Sequence, residues 1–237
     1  MHSPAASSLN VKICGITQPD QGQAIAQLGA TALGFICVPQ SPRYVTPVQI
    51  RTVVEALQPE FGSVSRIGVF VDASLAEIQQ VVEQGDLTGV QLHGSESPQF
   101  CQQLRALFPQ LTLIKAFRVR DAATLAQTQA YQTLVDALLL DAFHPAAHAG
   151  EYGGTGHTIA WEMLNQFRPN CNWFLAGGIT PDNLHLALNW VQPQGIDVSS
   201  GVELAPGQKD LTLVKRLLAR VAELTAQAKT AQVKTGI

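Results

Sequence analysis

Eight times along this chain a short apolar run is followed by a segment with helical periodicity, and that strict alternation leaves few folds open. Val11 to Gly15, Ala32 to Cys37, Ile67 to Val71, Val90 to Gly94, Leu111 to Phe117, Leu138 to Asp141, Trp173 to Ala176 and Gly195 to Val198 read as strands. Helical patterns begin at Pro19, at Pro47, after Ser74, and at Pro98, Ala122, Ile159, Pro181 and Leu211. Runs that stay apolar through their length suit strands buried on both faces, as in a parallel sheet with crossover helices. Eight units within 237 residues predict an α/β protein with a single closed (β/α)8 TIM barrel. An open doubly wound sheet is the alternative, but the Gly-x-Gly-x-x-Gly fingerprint after its first strand is missing. One catalytic domain over residues 10–225 is expected, with a flexible N-terminal segment at 1–9 and a polar C-terminal tail at 226–237.

The residues of unusual chemistry fall in one place within this pattern. Cys14, Arg43, His93, Asp141, Gly153 to Gly156, Gly177-Gly178 and Ser199 to Gly201 all follow the carboxyl end of a strand. In a (β/α)8 barrel that rim is where active sites assemble. Asp141 ends the sixth strand, so its carboxylate is delivered to the mouth. The glycine-rich loops follow the sixth, seventh and eighth strands, which are neighbours in space. Their backbone amides, Gly154, Gly156, Gly177, Gly178, Ser199, Ser200 and Gly201 among them, predict a phosphate site that needs no lysine or arginine.

Composition excludes several partners. Charged residues make up 14% and the formal net charge is -3, so no basic field is available for nucleic acid. The first ten residues lack the basic start and apolar centre of a signal peptide, and no apolar run approaches membrane length, so a cytoplasmic protein without a membrane partner is expected. Cys14, Cys37, Cys101 and Cys171 lie far apart, with no Cys-x-x-Cys pair, and read as reduced thiols. Of these, Cys37, Cys101 and Cys171 read as packing. His144 and His148 have no carboxylate cluster to complete a ligand set, so no metal is expected.

Cys14 differs from the other cysteines because the pleat places Lys12 on the same face of the first strand. An ammonium at about 6 Å, at an effective dielectric of about 20, favours the thiolate by on the order of 2 to 3 kcal/mol, roughly two pKa units. That would bring the thiol towards neutrality, with burial acting in the opposite direction. Asp197 on the eighth strand, beside the first in a closed barrel, is the expected support for Lys12. The planar fork of Arg43 suits a carboxylate. His93 is placed to polarise a substrate oxygen or to support the rim.

With these residues assembled, the chain resembles the phosphoribosylanthranilate isomerase family. The resemblance is carried in order by Lys12-Ile-Cys-Gly-Ile-Thr17, Ser41-Pro-Arg-Tyr-Val45, Val90-Gln-Leu-His-Gly94, Leu139-Leu-Asp141 with Gly153-Gly-Thr-Gly156, Leu175-Ala-Gly-Gly-Ile-Thr180 and Asp197-Val-Ser-Ser-Gly-Val-Glu203. It implies a barrel of tryptophan biosynthesis that converts N-(5-phosphoribosyl)anthranilate into 1-(o-carboxyphenylamino)-1-deoxyribulose 5-phosphate, an Amadori rearrangement with no cofactor. By that likeness Cys14 is the general base, Asp141 the general acid, and Arg43 faces the anthranilate moiety.

Two departures from the family pattern stand out. The spacing from Asp141 to Gly153 is longer, with Phe143 to Gly150 reading as a small insertion, and His157 stands where the family tends to have lysine. Competing readings are another phosphate-binding barrel, of the indole-glycerol-phosphate synthase or epimerase kind, and a non-catalytic sensor of phosphoribosyl ligands. A synthase would want several rim lysines, an epimerase paired His and carboxylate ligands, and a sensor neither Cys14 nor Asp141. A monomer or a homodimer is equally compatible with the sequence.

Overall fold

In the computed structural model the chain is described over residues 9–141 and 161–235. Eight parallel strands close on themselves in sequence order: β1 (Asn10–Cys14), β2 (Ala32–Ile36), β3 (Ser65–Phe70), β4 (Gly89–Leu92), β5 (Thr112–Arg118), β6 (Ala137–Asp141), β7 (Asn172–Ala176) and β8 (Gly195–Val198). The seam pairs the first strand with the last, setting Lys12 opposite Asp197, while on its other edge β1 sets Cys14 opposite Gly34.

The helices start where local chemistry starts them. In α1 (Pro19–Gln27), α2 (Pro47–Ala56) and α4 (Pro98–Leu107) a proline opens the first turn, where its missing N–H would have had no partner. Thr46 with Gln49 caps α2, and Ser74 with Glu77 caps α3 (Leu75–Gly85), each through reciprocal bonds. Asp121 caps α5 (Ala122–Gln127). Residues 161–164 belong to α6, and α7 (Leu184–Trp190) and α8 (Leu211–Thr235) complete the ring.

Three elements differ from expectation. Helix α7 begins after Asn183 instead of at Pro181, because Thr180 and Asn183 bond to each other's backbone N–H and Asn183 Nδ2 donates to the Gly178 carbonyl. Such side-chain bonds compete with a helical first turn. The polar tail expected from Ala226 is helical as far as Thr235, where α8 ends. A polar segment rich in alanine and glutamine still propagates a helix. Finally, an unexpected hairpin, β9 (Glu203–Ala205) and β10 (Gln208–Lys209), folds back between β8 and α8. Thr17 donates to the Gly207 carbonyl at 2.6 Å and Gln21 accepts from the Lys209 N–H at 3.2 Å, fastening the hairpin to the loop and helix after β1.

Apolar packing divides into two layers. The larger lies between strands and helices and includes Ile13, Leu33, Phe35, Leu92, Leu140 and Trp173, all nearly inaccessible. The smaller fills the barrel axis with Ala32, Ile67, Ile114, Ala116, Ala137, Leu139 and Ala176. Among the described residues the buried polar side chains include Lys12, Gln91 and Lys115 from the strands and Glu96 and Lys209 from the segments beyond them. Burying such groups is costly unless each finds a partner, so their arrangement marks where the fold has been shaped for something besides stability.

Candidate active site

At the carboxyl end of β1, Lys12 Nζ lies 2.9 Å from Asp197 Oδ1, with side-chain exposures of 1% and 9%. Burial opposes the Lys12 charge, but the charges of Asp197 and Cys14 outweigh it and hold the ammonium above its usual pKa. The Cys14 thiol is pushed upward, first by burial and then by Asp197, against a downward pull from Lys12 and Lys209. The expected drop towards neutrality is therefore corrected. Asp197 opposes the Lys12 field, and burial of the thiol outweighs it. Space here is tight: a Cβ on Gly34 would stand 2.6 Å from Cys14 Sγ and 3.0 Å from Lys12 Nζ. Only glycine on β2 lets the thiol and the ammonium share that floor.

Across the mouth, His93 follows β4 and Asp141 ends β6. His93 Nε2 stands 3.9 Å from Asp141 Oδ2, and Gln91 Nε2 lies 3.0 Å from His93 Nδ1. Burial, reinforced by Arg118, lowers the His93 pKa to about 4, so the ring is neutral at physiological pH. In the tautomer with Nδ1 accepting from the Gln91 amide, the ring proton is on Nε2, facing the carboxylate. Lys12, Asp197, Asp141 and the strand before His93 belong to one closed ring, and Asp197 raises the His93 pKa while Lys12 lowers it. The corner carrying His93 is fixed by a buried pair not singled out in the sequence: Lys115 Nζ lies 2.9 Å from Glu96 Oε2 and donates to the Gly94 carbonyl at 2.8 Å. Glu96 in turn accepts from the N–H groups of Asp72 and Gly94.

Arg43, in the loop after β2, does not stand with an empty fork. Its Nε donates to Glu203 Oε1 at 3.0 Å and its Nη2 to Oε2 at 2.6 Å. The other face of Glu203 meets Lys209, whose Nζ is 2.6 Å from Oε1. Lys209 also donates to the Cys14 carbonyl and, at 3.4 Å, to the Ser199 carbonyl. Glu203 is held below the usual carboxylate range: burial pushes it up, and the bonds from Arg43 and Lys209 outweigh that. Sequence reasoning assigned no role to Glu203 or Lys209. The turn signal Pro206-Gly207 was the cue available for the hairpin that carries Lys209 back over β1.

Of the loops expected to hold phosphate, those after β7 and β8 are described and touch each other. Gly177 and Gly178 have φ of 92° and 66°, a turn that other residues rarely adopt. Gly201 packs so closely on the Ile179 carbonyl that a methyl group there would overlap its oxygen. Ser199 donates to the Cys14 carbonyl at 3.0 Å, and Ser200–Val202 forms one 3-10 turn. Gly154 and Gly156, with the rest of Gly153 to Gly156, lie outside the described residues, as do His144, His148, Phe143 to Gly150 and His157. Among the described residues no group of three or more His, Cys, Asp or Glu could hold a metal ion, and no helix is long and apolar enough to cross a membrane.

A closed eight-stranded barrel with a thiol, a carboxyl, a neutral imidazole and adjoining glycine turns on its carboxyl rim defines an enzyme of the (β/α)8 class. The family model for N-(5'-phosphoribosyl)anthranilate isomerase matches residues 11–220, and the chain belongs to that family. It is 60% identical over 219 residues to the N-(5'-phosphoribosyl)anthranilate isomerase of Rippkaea orientalis, covering 92% of this chain and 99% of the relative. Among solved structures, the isomerase of Thermotoga maritima is 34% identical with a TM-score of 0.79, covering 91% of this chain and 99% of that one. Another isomerase, solved with reduced 1-(o-carboxyphenylamino)-1-deoxyribulose 5-phosphate, is 30% identical with a TM-score of 0.75, over 91% and 99% of the two chains.

Proposed function

We propose that this chain carries out its family's reaction with Asp141 as general acid and Cys14 as general base. The reaction is an internal aldose-to-ketose redox change of tryptophan biosynthesis, the Amadori rearrangement of N-(5-phosphoribosyl)anthranilate. Asp141 protonates the ribose ring oxygen as the anthranilate nitrogen pushes the ring open, leaving a protonated Schiff base at C1′. Cys14, as thiolate, then takes the proton from C2′. The electron pair of the broken C–H bond forms the C1′–C2′ double bond and neutralises the nitrogen. Tautomerisation places a proton on C1′ and a carbonyl at C2′, so C1′ is reduced and C2′ oxidised with no external reagent.

The raised Cys14 thiol pKa fits this order of steps. The Schiff base introduces a positive charge beside C2′ at the step where a base is needed, and a nearby cation favours the thiolate. Neutral His93, whose Nε2 faces Asp141 at 3.9 Å, supports it. The turns after β7 and β8, with Gly154 and Gly156, hold the phosphate through backbone N–H groups, and Arg43 meets the ring carboxylate.

The observation that carries the reading is that Cys14, Lys12 and Asp197 form one cluster and His93 and Asp141, 3.9 Å apart, a second, on strands of one closed barrel, with the charges of Lys12 and Asp197 acting on His93 as well. Freshly prepared substrate supplied to the purified protein should be consumed with a change in anthranilate fluorescence. Absence of turnover in a folded protein that binds the reduced product would overturn the proposal.

A further inference from the structure

The Arg43 guanidinium carries five N–H groups, and the side-on fork to Glu203 uses the one on Nε and one on Nη2. Three remain, all at the Nη1 and Nη2 end, which is a second edge fitted to a carboxylate. Charge points the same way. Two cations, Arg43 and Lys209, share the single anion Glu203, although Glu203 and Lys209 are 4% and 0% exposed; burial lowers the Lys209 pKa and the bond and charge of Glu203 oppose that, and with both cations charged the triad carries one net positive charge. An Arg–Glu pair alone would be neutral and would offer an anionic ligand little. With Lys209 engaging Glu203 as well, Glu203 can stay bonded to Arg43 while a second carboxylate approaches.

We propose that Glu203, backed by Lys209, is a positioning residue for Arg43: it fixes the guanidinium side-on and leaves the end-on edge to receive the ring carboxylate of the substrate. The proposal rests on the assignment of Arg43 given above. Lys209 extends the arrangement to the base, because it donates to the carbonyls of Cys14 and Ser199 as well as to Glu203. The same ammonium thereby ties the carboxylate-reading arginine to the strand end that carries the thiol. Gly15 keeps the space open, since a Cβ there would stand 2.8 Å from the Arg43 side chain and 3.4 Å from Lys209 Nζ.

The test uses two probes, the reduced product 1-(o-carboxyphenylamino)-1-deoxyribulose 5-phosphate and the same compound lacking the ring carboxylate. Their dissociation constants are measured with wild type, Glu203→Gln, Arg43→Ala and the double variant. The ratio of the two constants is the advantage conferred by the carboxylate. Glu203→Gln is expected to cut that advantage by ~10-fold, the scale of one charge-assisted hydrogen bond, with the carboxylate-free probe unchanged within about twofold. In the Arg43→Ala background, Glu203→Gln should add nothing, since the two act as one unit.

An unchanged or larger advantage in Glu203→Gln would overturn the proposal, the second result marking Glu203 as a placeholder that the ligand displaces. Equal weakening of both probes would overturn it too, as support of the fold alone. If Arg43→Ala keeps the full advantage, the assignment of Arg43 fails, a result separable from failure of Glu203. Should Glu203→Gln not fold, Glu203→Asp keeps the charge but shortens the reach and must still lower the advantage, by roughly threefold, without touching the carboxylate-free probe.

Discussion

Lys12 and Asp197 stand opposite one another where the first strand meets the last, Nζ 2.9 Å from Oδ1, and this pairing limits what the Lys12 charge can do to Cys14. Lys12 pulls the thiol pKa down and Asp197 pushes it up. The two halves of one ion pair should therefore give opposite results. Asp197→Asn is expected to lower the Cys14 thiol pKa and Lys12→Met to raise it. The pH dependence of alkylation at Cys14, followed by mass spectrometry of its peptide, checks this. Shifts of the same sign in both variants would rule out the field argument.

Removing either proposed proton-transfer group should stop the chemistry and spare binding. Cys14→Ala and Asp141→Asn are each expected to lower kcat by ~10²- to 10⁴-fold, the usual contribution of a placed acid or base. Affinity for the reduced product should stay within about threefold, because binding draws on other groups. Near wild-type kcat in both variants would remove the assigned mechanism.

His93 gives a pH signature. Its pKa is lowered from 6.5 to about 4 in the folded protein, so between those values the unfolded chain holds the proton and the folded protein does not. Stability from this group is complete above about 6.5 and is lost as pH falls towards 4. A shift of this size corresponds to on the order of 3 kcal/mol. Urea unfolding of wild type should weaken over that range, and His93→Gln should show a correspondingly shallower slope. Equal slopes would mean that His93 titrates normally.

A methyl group on Gly34 would stand 2.6 Å from Cys14 Sγ and 3.0 Å from the Cys14 Cα. Gly34→Ala should therefore destabilise by ~1 to 3 kcal/mol, as overpacking does, and displace the thiol. The paired measurements are the denaturant midpoint and kcat for the isomerisation. A stable variant with undiminished kcat would show that the barrel floor is looser than described.

The barrel was legible because its strands are buried on both faces and so appear as unbroken apolar runs such as Leu138 to Leu140, which the polar Asp141 ends. Helix starts were legible where a proline or a capping residue marks them, as at Pro47 and Ser74. Helix α7 was misplaced because Thr180 and Asn183 act on each other through side chains that periodicity does not register. Strands of three and two residues, as in β9 and β10, are too short to carry a period, so Lys209 drew no role from its position ahead of the last helix. Cys14 was legible as a candidate, but its thiol pKa was not. That quantity is a contest among burial, Lys12, Asp197 and Lys209, and spacing along one strand reports only the second of these.

The hairpin between β8 and α8 has a consequence for how the protein comes into being. Cys14 leaves the ribosome early, yet Asp197, Ser199 and Lys209, which surround it, lie 183 to 195 positions further along the chain. Until they arrive, the thiol stands beside an uncompensated ammonium on an open sheet edge. A nascent or truncated chain ending before the seam closes should thus expose its most readily alkylated cysteine, and completion of synthesis should be what quenches that reactivity.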